Sequence, residues 1–90
     1  MTERRNKIDI IYDMLRVTSD KGGKILPTHL LYKSNLSHQR MKGYLEELKA
    51  KKLFDEIQED GKTFFIITDA GLKFLQQYHQ LKEFTDAFGL

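Results

Sequence analysis

The chain has 90 residues, 40% hydrophobic and 31% charged, a balance typical of one small globular domain and unlike that of a disordered chain. It has no cysteine, which excludes a disulfide framework and a thiolate metal site, so stability has to come from packing, with a partner chain as a further source. No apolar run approaches the roughly 18 residues of a membrane span. The polar start MTERRNK lacks the apolar stretch of a signal peptide, so we expect a cytoplasmic protein without membrane contact.

The net charge of +2 conceals an asymmetry along the chain. Residues 1–52 carry twelve Lys and Arg against six Asp and Glu, whereas residues 53–90 carry three against seven. If a polyanion binds, we expect it on the first of these two segments. A surplus of this size is also common on the surfaces of proteins that bind no polyanion.

The first predicted helix covers residues 3–19 and is apolar on two sides. One stripe is formed by Ile8, Ile11, Tyr12 and Leu15, and the opposite one by Ile10, Met14 and Val17. A helix of this kind usually has neighbours on both sides. The following SDKGGK ends the helix because its two glycines supply left-handed conformations, and Ile25 and Leu26 then form a very short strand.

A short turn separates the second and third predicted helices. The second helix covers residues 28–33, with Leu30 and Leu31 facing inward. In the turn SNLS, Ser37 is a natural N-cap for the third helix. Leu36, apolar within a polar turn, is expected to be the plug that holds the two helices at their angle.

The third helix is amphipathic when projected at the helical period. Its inner face is formed by Met41, Tyr44, Leu45 and Leu48, its opposite face by Gln39, Lys42, Gly43 and Glu46, and its edges by His38 and Arg40. A glycine on an exposed helix face costs roughly 1 kcal/mol relative to alanine. Gly43 therefore calls for an explanation.

After this helix the sequence pattern changes from that of a helix to that of β-strands. Residues 53–58 and 63–68 are rich in aromatic and β-branched residues, and the EDGK between them contains the Asp-Gly pair that favours a hairpin. Thr68 or Asp69 then caps a last helix over residues 70–88.

The order of these elements is helix, short strand, helix, turn, helix, strand, turn, strand, helix. It is the order of a winged helix-turn-helix, an α+β fold that is mainly α, in which the hairpin is the wing. There is no internal repeat or linker, so we predict one domain over residues 1–90, with a winged-helix core over 1–68 and a C-terminal helix over 69–90.

Two segments, YKSNLSHQRMKGYLEELKAKKLF and ITDAGLKFLQQYHQLKEF, resemble small archaeal winged helix-turn-helix proteins that bind DNA as homodimers. The similarity covers residues 8–84. The matching positions are Asn35, Leu36, Ser37, Tyr44, Leu45, Leu48, Leu53, Thr68, Gly71, Phe74, Leu75, Tyr78 and Leu81. Lys52 departs from the family, which more often has glycine there. The resemblance implies that the last helix pairs with its copy in a second chain as an antiparallel coiled coil.

The spacing of apolar residues in the last helix supports a dimer independently. The seam consists of Phe74, Tyr78, Leu81, Thr85 and Phe88, with steps of 4, 3, 4 and 3 residues. Leu72 and Leu75 point elsewhere and are expected to pack on the chain's own core. The alternative is that the seam packs on Ile10, Met14 and Val17 of the same chain.

If the chain binds DNA, the third helix enters the major groove. The candidate DNA contacts are Ser37, His38, Gln39, Arg40, Lys42 and Gly43, with Lys33, Lys62, Arg4 and Arg5 as further candidates. Gln and Arg side chains suit base edges, and a capped helix N-terminus suits a phosphate. Gly43 would let the backbone approach the groove wall, whereas Glu46 opposes phosphate and confines the close contact to the first two turns. The alternative is an ordinary solvated helix face.

The wing is expected to contribute little to DNA binding. Its acidic residues are Asp55, Glu56, Glu59 and Asp60, and its only cation is Lys62. Better candidates for auxiliary phosphate contacts are Arg4, Arg5, Lys7, Lys21 and Lys24.

Enzymatic activity is not expected. His29, His38 and His79 are scattered without carboxylate partners at metal spacing, and no phosphate-binding glycine loop or nucleophile motif is present. No metal, cofactor or small-molecule ligand is evident. The leading hypothesis is a homodimeric DNA-binding protein acting as a transcriptional regulator or a nucleoid-associated, chromatin-like factor. The alternative is a winged helix used only for protein–protein contact.

Overall fold

A computed structural model describes residues 6–90, which form helices packed on one side of a small antiparallel sheet. The helices are α1 (Lys7–Asp20), α2 (Pro27–Ser34), α3 (His38–Ala50) and α4 (Asp69–Ala87), and the strands are β1 (Lys24–Ile25), β2 (Phe54–Glu59) and β3 (Lys62–Ile67). This order confirms the predicted winged helix-turn-helix. Within the same residues, no helix is long and apolar enough to cross a membrane.

The sheet has the strand order β1-β3-β2. β1 pairs with β3 through Lys24 opposite Ile66, and β2 pairs with β3 from Phe54 opposite Ile67 to Glu59 opposite Lys62. The hairpin turn has left-handed φ angles of 52° at Asp60 and 74° at Gly61. Two adjacent left-handed residues are what a tight two-residue hairpin requires, so the Asp-Gly prediction is confirmed.

The first helix begins later than the predicted residue 3. Asn6 is an extended N-cap whose side chain accepts a hydrogen bond from the Asp9 amide at 2.8 Å, while the Asp9 carboxylate accepts from the Asn6 amide. This reciprocal capping box fixes the start of α1 at Lys7. Residues 1–5 lie outside the described part of the chain.

The core lies between the sheet and the inner faces of α1, α2 and α3. Its buried residues are Ile10, Ile11, Met14, Leu15, Val17, Ile25, Leu30, Leu36, Met41, Leu45, Leu48, Phe54 and Phe65. Burial of Leu36 confirms the predicted plug in the turn. Two expectations are wrong: Ile8 is 47% exposed because it lies in the first turn of α1, and Leu72 is 45% exposed because α4 rests on the core through Phe74 and Leu75.

The junction between α3 and the wing has a left-handed residue where the sequence has lysine. Lys52 has a φ of 60°, and the amides of Lys52 and Leu53 donate to the carbonyls of Lys49 and Leu48. This pair of bonds is the Schellman motif, which usually places glycine at the left-handed position. The motif explains why the related family prefers glycine there, and it identifies Lys52 as a strained position.

Thr68 ties this junction to α4. Its hydroxyl donates to the Lys52 carbonyl at 2.7 Å and accepts from the Gly71 amide at 3.1 Å, so it caps α4 as predicted. Gly71 lies so close to the junction that a Cβ atom there would be 2.6 Å from the Leu53 carbonyl oxygen and from Ile67 Cγ1. The absence of a side chain at Gly71 therefore allows α4 to start against the wing.

Candidate nucleic-acid interface

The turn before α3 fixes the direction of that helix. Asn35 ends α2 in a left-handed conformation with a φ of 54°. Ser37 then caps α3, its hydroxyl oxygen accepting a hydrogen bond from the Arg40 amide at 3.2 Å. With Leu36 buried between them, the two caps hold α3 with one side on the core and the other in solvent.

The outer face of α3 consists of Gln39, Lys42, Gly43 and Glu46, and all four are exposed. A Cβ atom at Gly43 would meet no heavy atom within 4 Å. Packing within the chain therefore gives no reason for glycine at this position. The glycine leaves the backbone without a side chain beside Gln39 and Lys42 on the same outer face.

One edge of the outer face borders a groove between α3 and the sheet. Its lining includes His38, Lys42, Glu46 and Lys49 from α3, with Phe65 at its base, and the groove encloses about 300 Å³. Lys42 forms no ion pair with any of residues 6–90. Its charge is therefore available to a ligand at this edge.

The other edge of the outer face carries Arg40 and, further along α3, an ion pair with α1. The Arg40 guanidinium lies over the Tyr44 ring, 6.0 Å from its centroid, which keeps the charge at the flank of α3 as predicted. One turn further on, Glu47 is paired with Lys7 of α1 at 2.5 Å. Lys7, expected as an auxiliary phosphate contact, thus has a carboxylate partner.

Two acidic residues of the wing, the β2–β3 hairpin, are paired with lysines of the body, which sequence analysis missed. Glu56 accepts from Lys49 of α3 at 3.1 Å, and Glu59 accepts from Lys24 at 2.9 Å. Lys24 also lies over the Phe64 ring. Lys62 is exposed beside the hairpin turn. Pairing over seven and 35 residues leaves no local pattern by which these contacts could be found.

The remaining predicted cations are distributed differently. Lys33 is exposed near the end of α2 and shares a concavity with Lys21, beyond the end of α1. Neither lysine lines the groove beside α3. Arg4 and Arg5 lie outside the described residues.

The first half of the predicted dimer seam lies against α1 of the same chain. The Tyr78 ring stacks on Tyr12 with centroids 4.2 Å apart, and its hydroxyl donates to the Asp9 carboxylate. This hydrogen bond, and then burial, raise the pKa of Tyr78 to about 12. Phe74 packs against the core. Within the chain, Tyr78 thus contacts Tyr12 of α1, and Phe74 packs on the core cluster that includes Ile10, Met14 and Val17.

The second half of the seam is exposed. Leu81 and Phe88 are 59% and 68% exposed, while Thr85 is half-buried, with its hydroxyl donating to the Lys82 carbonyl. Phe84, which sequence analysis left out of the seam, is 61% exposed, and its ring centroid lies 5.0 Å from that of Phe88. Leu81, Phe84 and Phe88 form an apolar cluster at the end of α4. Their 3, 4 spacing is visible in the sequence.

Comparison with known proteins places this geometry in a family. A family profile described as winged helix-turn-helix matches residues 4–86. No curated protein sequence is significantly similar to the chain.

Among the described residues, no group of three or more His, Asp or Glu side chains is placed to hold a metal ion.

Three solved structures share the fold at low sequence identity. Sso10a-2, a DNA-binding protein from Sulfolobus solfataricus, superposes with a TM-score of 0.79 at 18% identity, over 93% of this chain and 85% of its own. F93 from STIV, a winged-helix DNA-binding protein, gives 0.77 at 16% identity, over 89% and 92%. BpsR of Bordetella bronchiseptica, whose DNA binding is regulated by 6-hydroxynicotinic acid, gives 0.74 at 19% identity over 82% of this chain. The chain spans only about half of BpsR, 54% of its length.

Proposed function

The chain belongs to the winged helix-turn-helix family, and on that premise we propose that it binds double-stranded DNA through the outer face of α3. The observation that carries the proposal is the exposure of Gln39, Lys42 and Gly43 on a helix whose start is fixed by two caps. The described DNA-binding activity of Sso10a-2 and F93 supports it. Such a protein would act as a transcriptional regulator or as a nucleoid-associated, chromatin-like factor.

The proposed complex places α3 in the major groove. Gln39 reads a base edge, Lys42 and Arg40 contact bases or phosphates, and His38 lies at the groove margin. A phosphate at the N-terminus of α3 accepts from free backbone amides near Ser37. Gly43 allows the helix backbone to approach the groove wall. Lys33, Lys62, Arg4 and Arg5 are proposed as additional phosphate contacts.

We also propose that the protein is a homodimer through α4. The support is the apolar cluster of Leu81, Phe84 and Phe88, which is too exposed to contribute to this chain's own core. Thr85 lies within the same stretch of helix. Phe74 and Tyr78, occupied within the chain, would contribute at most their outer edges, which shifts the proposed interface toward the C-terminal end of the helix.

The DNA proposal is tested by replacing Gln39, Arg40 and Lys42 together with alanine and measuring binding to a duplex by mobility shift. The variant should lose the salt-sensitive complex. A matched control replaces Lys73, Gln76 and Lys82 of α4, which removes the same charge and one glutamine on exposed positions of another helix. Equal affinity of the α3 variant and the wild type would contradict the proposal and favour a protein–protein contact module.

The dimer proposal is tested by light scattering. The intact chain should have twice the monomer mass of 10.6 kDa. Leu81→Glu with Phe88→Glu should return a monomer, whereas Leu72→Glu, an exposed leucine of the same helix outside the cluster, should leave the dimer intact. A monomeric wild type at micromolar concentration would show that the dimer proposal is wrong.

A further inference from the structure

Tyr32 of α2 is an exposed aromatic residue outside the outer face of α3. Tyr32 is 86% exposed and lies between two concavities that both use its side chain. The larger, of about 580 Å³, is mainly apolar and is lined by Thr28, Leu31, Tyr32, Asn35 and Leu36. The smaller, of about 120 Å³, is lined by Lys21, His29, Tyr32 and Lys33.

The smaller concavity carries unneutralised positive charge. Lys21 and Lys33 also line a third concavity beside it, together with Arg16 and Asp20, so the two lysines are shared by both concavities between α1 and α2. Arg16 is paired with Asp20 at 3.2 Å. Across residues 6–90, no carboxylate pairs with Lys21 or Lys33. The smaller concavity is therefore lined by two positively charged side chains and by no carboxylate of the described residues.

The Tyr32 surface, defined as Lys21, His29, Tyr32 and Lys33, combines the two features that single-stranded nucleic acid requires. Lysines attract the phosphodiester backbone, and an exposed ring provides a platform for a base. In a duplex the bases are already stacked on one another, so a protein aromatic ring on this surface has a stacking partner only where a base is unpaired. The apolar concavity on the other side of Tyr32 offers room for such a base.

We propose that the Tyr32 surface binds a single-stranded nucleic-acid segment, with a base stacked on Tyr32 and the adjoining phosphodiesters on Lys21 and Lys33. Lys33, proposed above as an additional phosphate contact of the duplex, belongs to both sites. The part of the duplex site on α3 is separate from the Tyr32 surface, because Gln39, Lys42 and Gly43 line neither concavity. A protein with both sites would bind a duplex that continues into a single-stranded segment more tightly than a blunt duplex.

The test measures fluorescence anisotropy of a labelled oligothymidylate of about ten nucleotides, close to the span of one single-strand site, with the intact chain at low salt. Tyr32→Ala should weaken binding about tenfold, whereas Tyr32→Phe, which keeps the ring, should bind like the wild type. Replacing Lys21 and Lys33 with alanine should reduce the magnitude of the salt slope by about 1.4. Circular dichroism confirms that each variant is folded.

Other binding patterns would overturn the proposal. If Tyr32→Ala binds the single strand as tightly as the wild type, no base stacks on Tyr32 and the proposal is wrong. Loss of duplex affinity alone in Tyr32→Ala would assign the surface to the duplex footprint. The Gln39, Arg40 and Lys42 triple variant should still bind the single strand, and loss of that binding would place the strand on α3. Because the triple variant tests the duplex site and Tyr32→Ala tests the single-strand site, each proposal can fail without the other.

Discussion

Lys49 in the last turn of α3 donates a hydrogen bond to Glu56 of the wing, with Nζ and Oε1 separated by 3.1 Å. The wing thus presents a carboxylate to a helix whose outer face is proposed to meet phosphates. An exposed ion pair of this kind stabilises the fold by at most about 1 kcal/mol. In the proposed complex the close contact is confined to the first two turns of α3, so a phosphate at Lys49 would be a further contact and would have to replace Glu56.

Glu56→Gln should therefore increase duplex affinity and make it more dependent on salt. Release of Lys49 to one phosphate would increase the magnitude of the salt slope by about 0.9. Asp55→Asn is the matched control, since it removes the same charge from the neighbouring residue, which points to the other face of the strand. Mobility shifts at several salt concentrations measure both. Equal effects of the two substitutions would show that only the net charge of the wing matters.

Lys52→Gly should stabilise the protein by about 1 kcal/mol, because lysine pays for its left-handed conformation with a φ of 60° and glycine does not. Lys51→Gly is the control: Lys51 has an ordinary φ of −88°, so glycine there should only lower the free energy of unfolding. Urea denaturation of both variants measures the difference. Shifts of the same sign would contradict this account of the Schellman motif.

Two glycines within helices should respond to alanine in opposite directions. Gly71→Ala should lower the free energy of unfolding by about 1–3 kcal/mol, because its Cβ would lie 2.6 Å from the Leu53 carbonyl oxygen. Gly43→Ala faces open space and should raise it by about 1 kcal/mol. If α3 approaches the groove closely, Gly43→Ala should also weaken duplex binding. A stabilised Gly43→Ala with wild-type DNA affinity would remove the close-approach explanation.

Tyr78 should make stability fall at alkaline pH. The hydrogen bond to Asp9, and then burial, raise its pKa from 10.0 to about 12. Between these values the unfolded chain has lost the proton and the folded chain keeps it, so the free energy of unfolding decreases as pH rises. This contribution is complete below pH 10 and is lost as pH rises through 12. Tyr78→Phe lacks it, so the stability difference between wild type and variant in urea should shrink across this interval, and a constant difference would contradict the assignment.

The sequence allowed the elements with local determinants to be predicted. The Ser37 cap, the Asp60-Gly61 hairpin and the outer face of α3 each depend on residues a few positions apart. The capping box at Asn6 is equally local, since its two partners, Asn6 and Asp9, are three residues apart, yet the sequence prediction started the helix at residue 3.

Long-range partner choice was not predictable in the same way. The spacing of the α4 seam shows that one face is apolar, but not that Tyr78 contacts Tyr12 of its own chain while Leu81 stays exposed. The same holds for the ion pair of Lys49 with Glu56, since many lysines and carboxylates have compatible charge and only the fold selects among them. The left-handed Lys52 was signalled only as a departure from the glycine of related proteins.

The most direct test of duplex binding by α3 is the affinity of the wild-type chain for a random duplex and for selected duplexes between about 50 and 200 mM salt. The logarithm of the association constant should fall linearly with the logarithm of the salt concentration, by about 0.9 for each phosphate contacted. Affinity that remains at high salt and differs between duplexes comes from contacts to base edges. Affinity no greater than that of any weakly basic protein, at every salt concentration and for every duplex, would contradict the account.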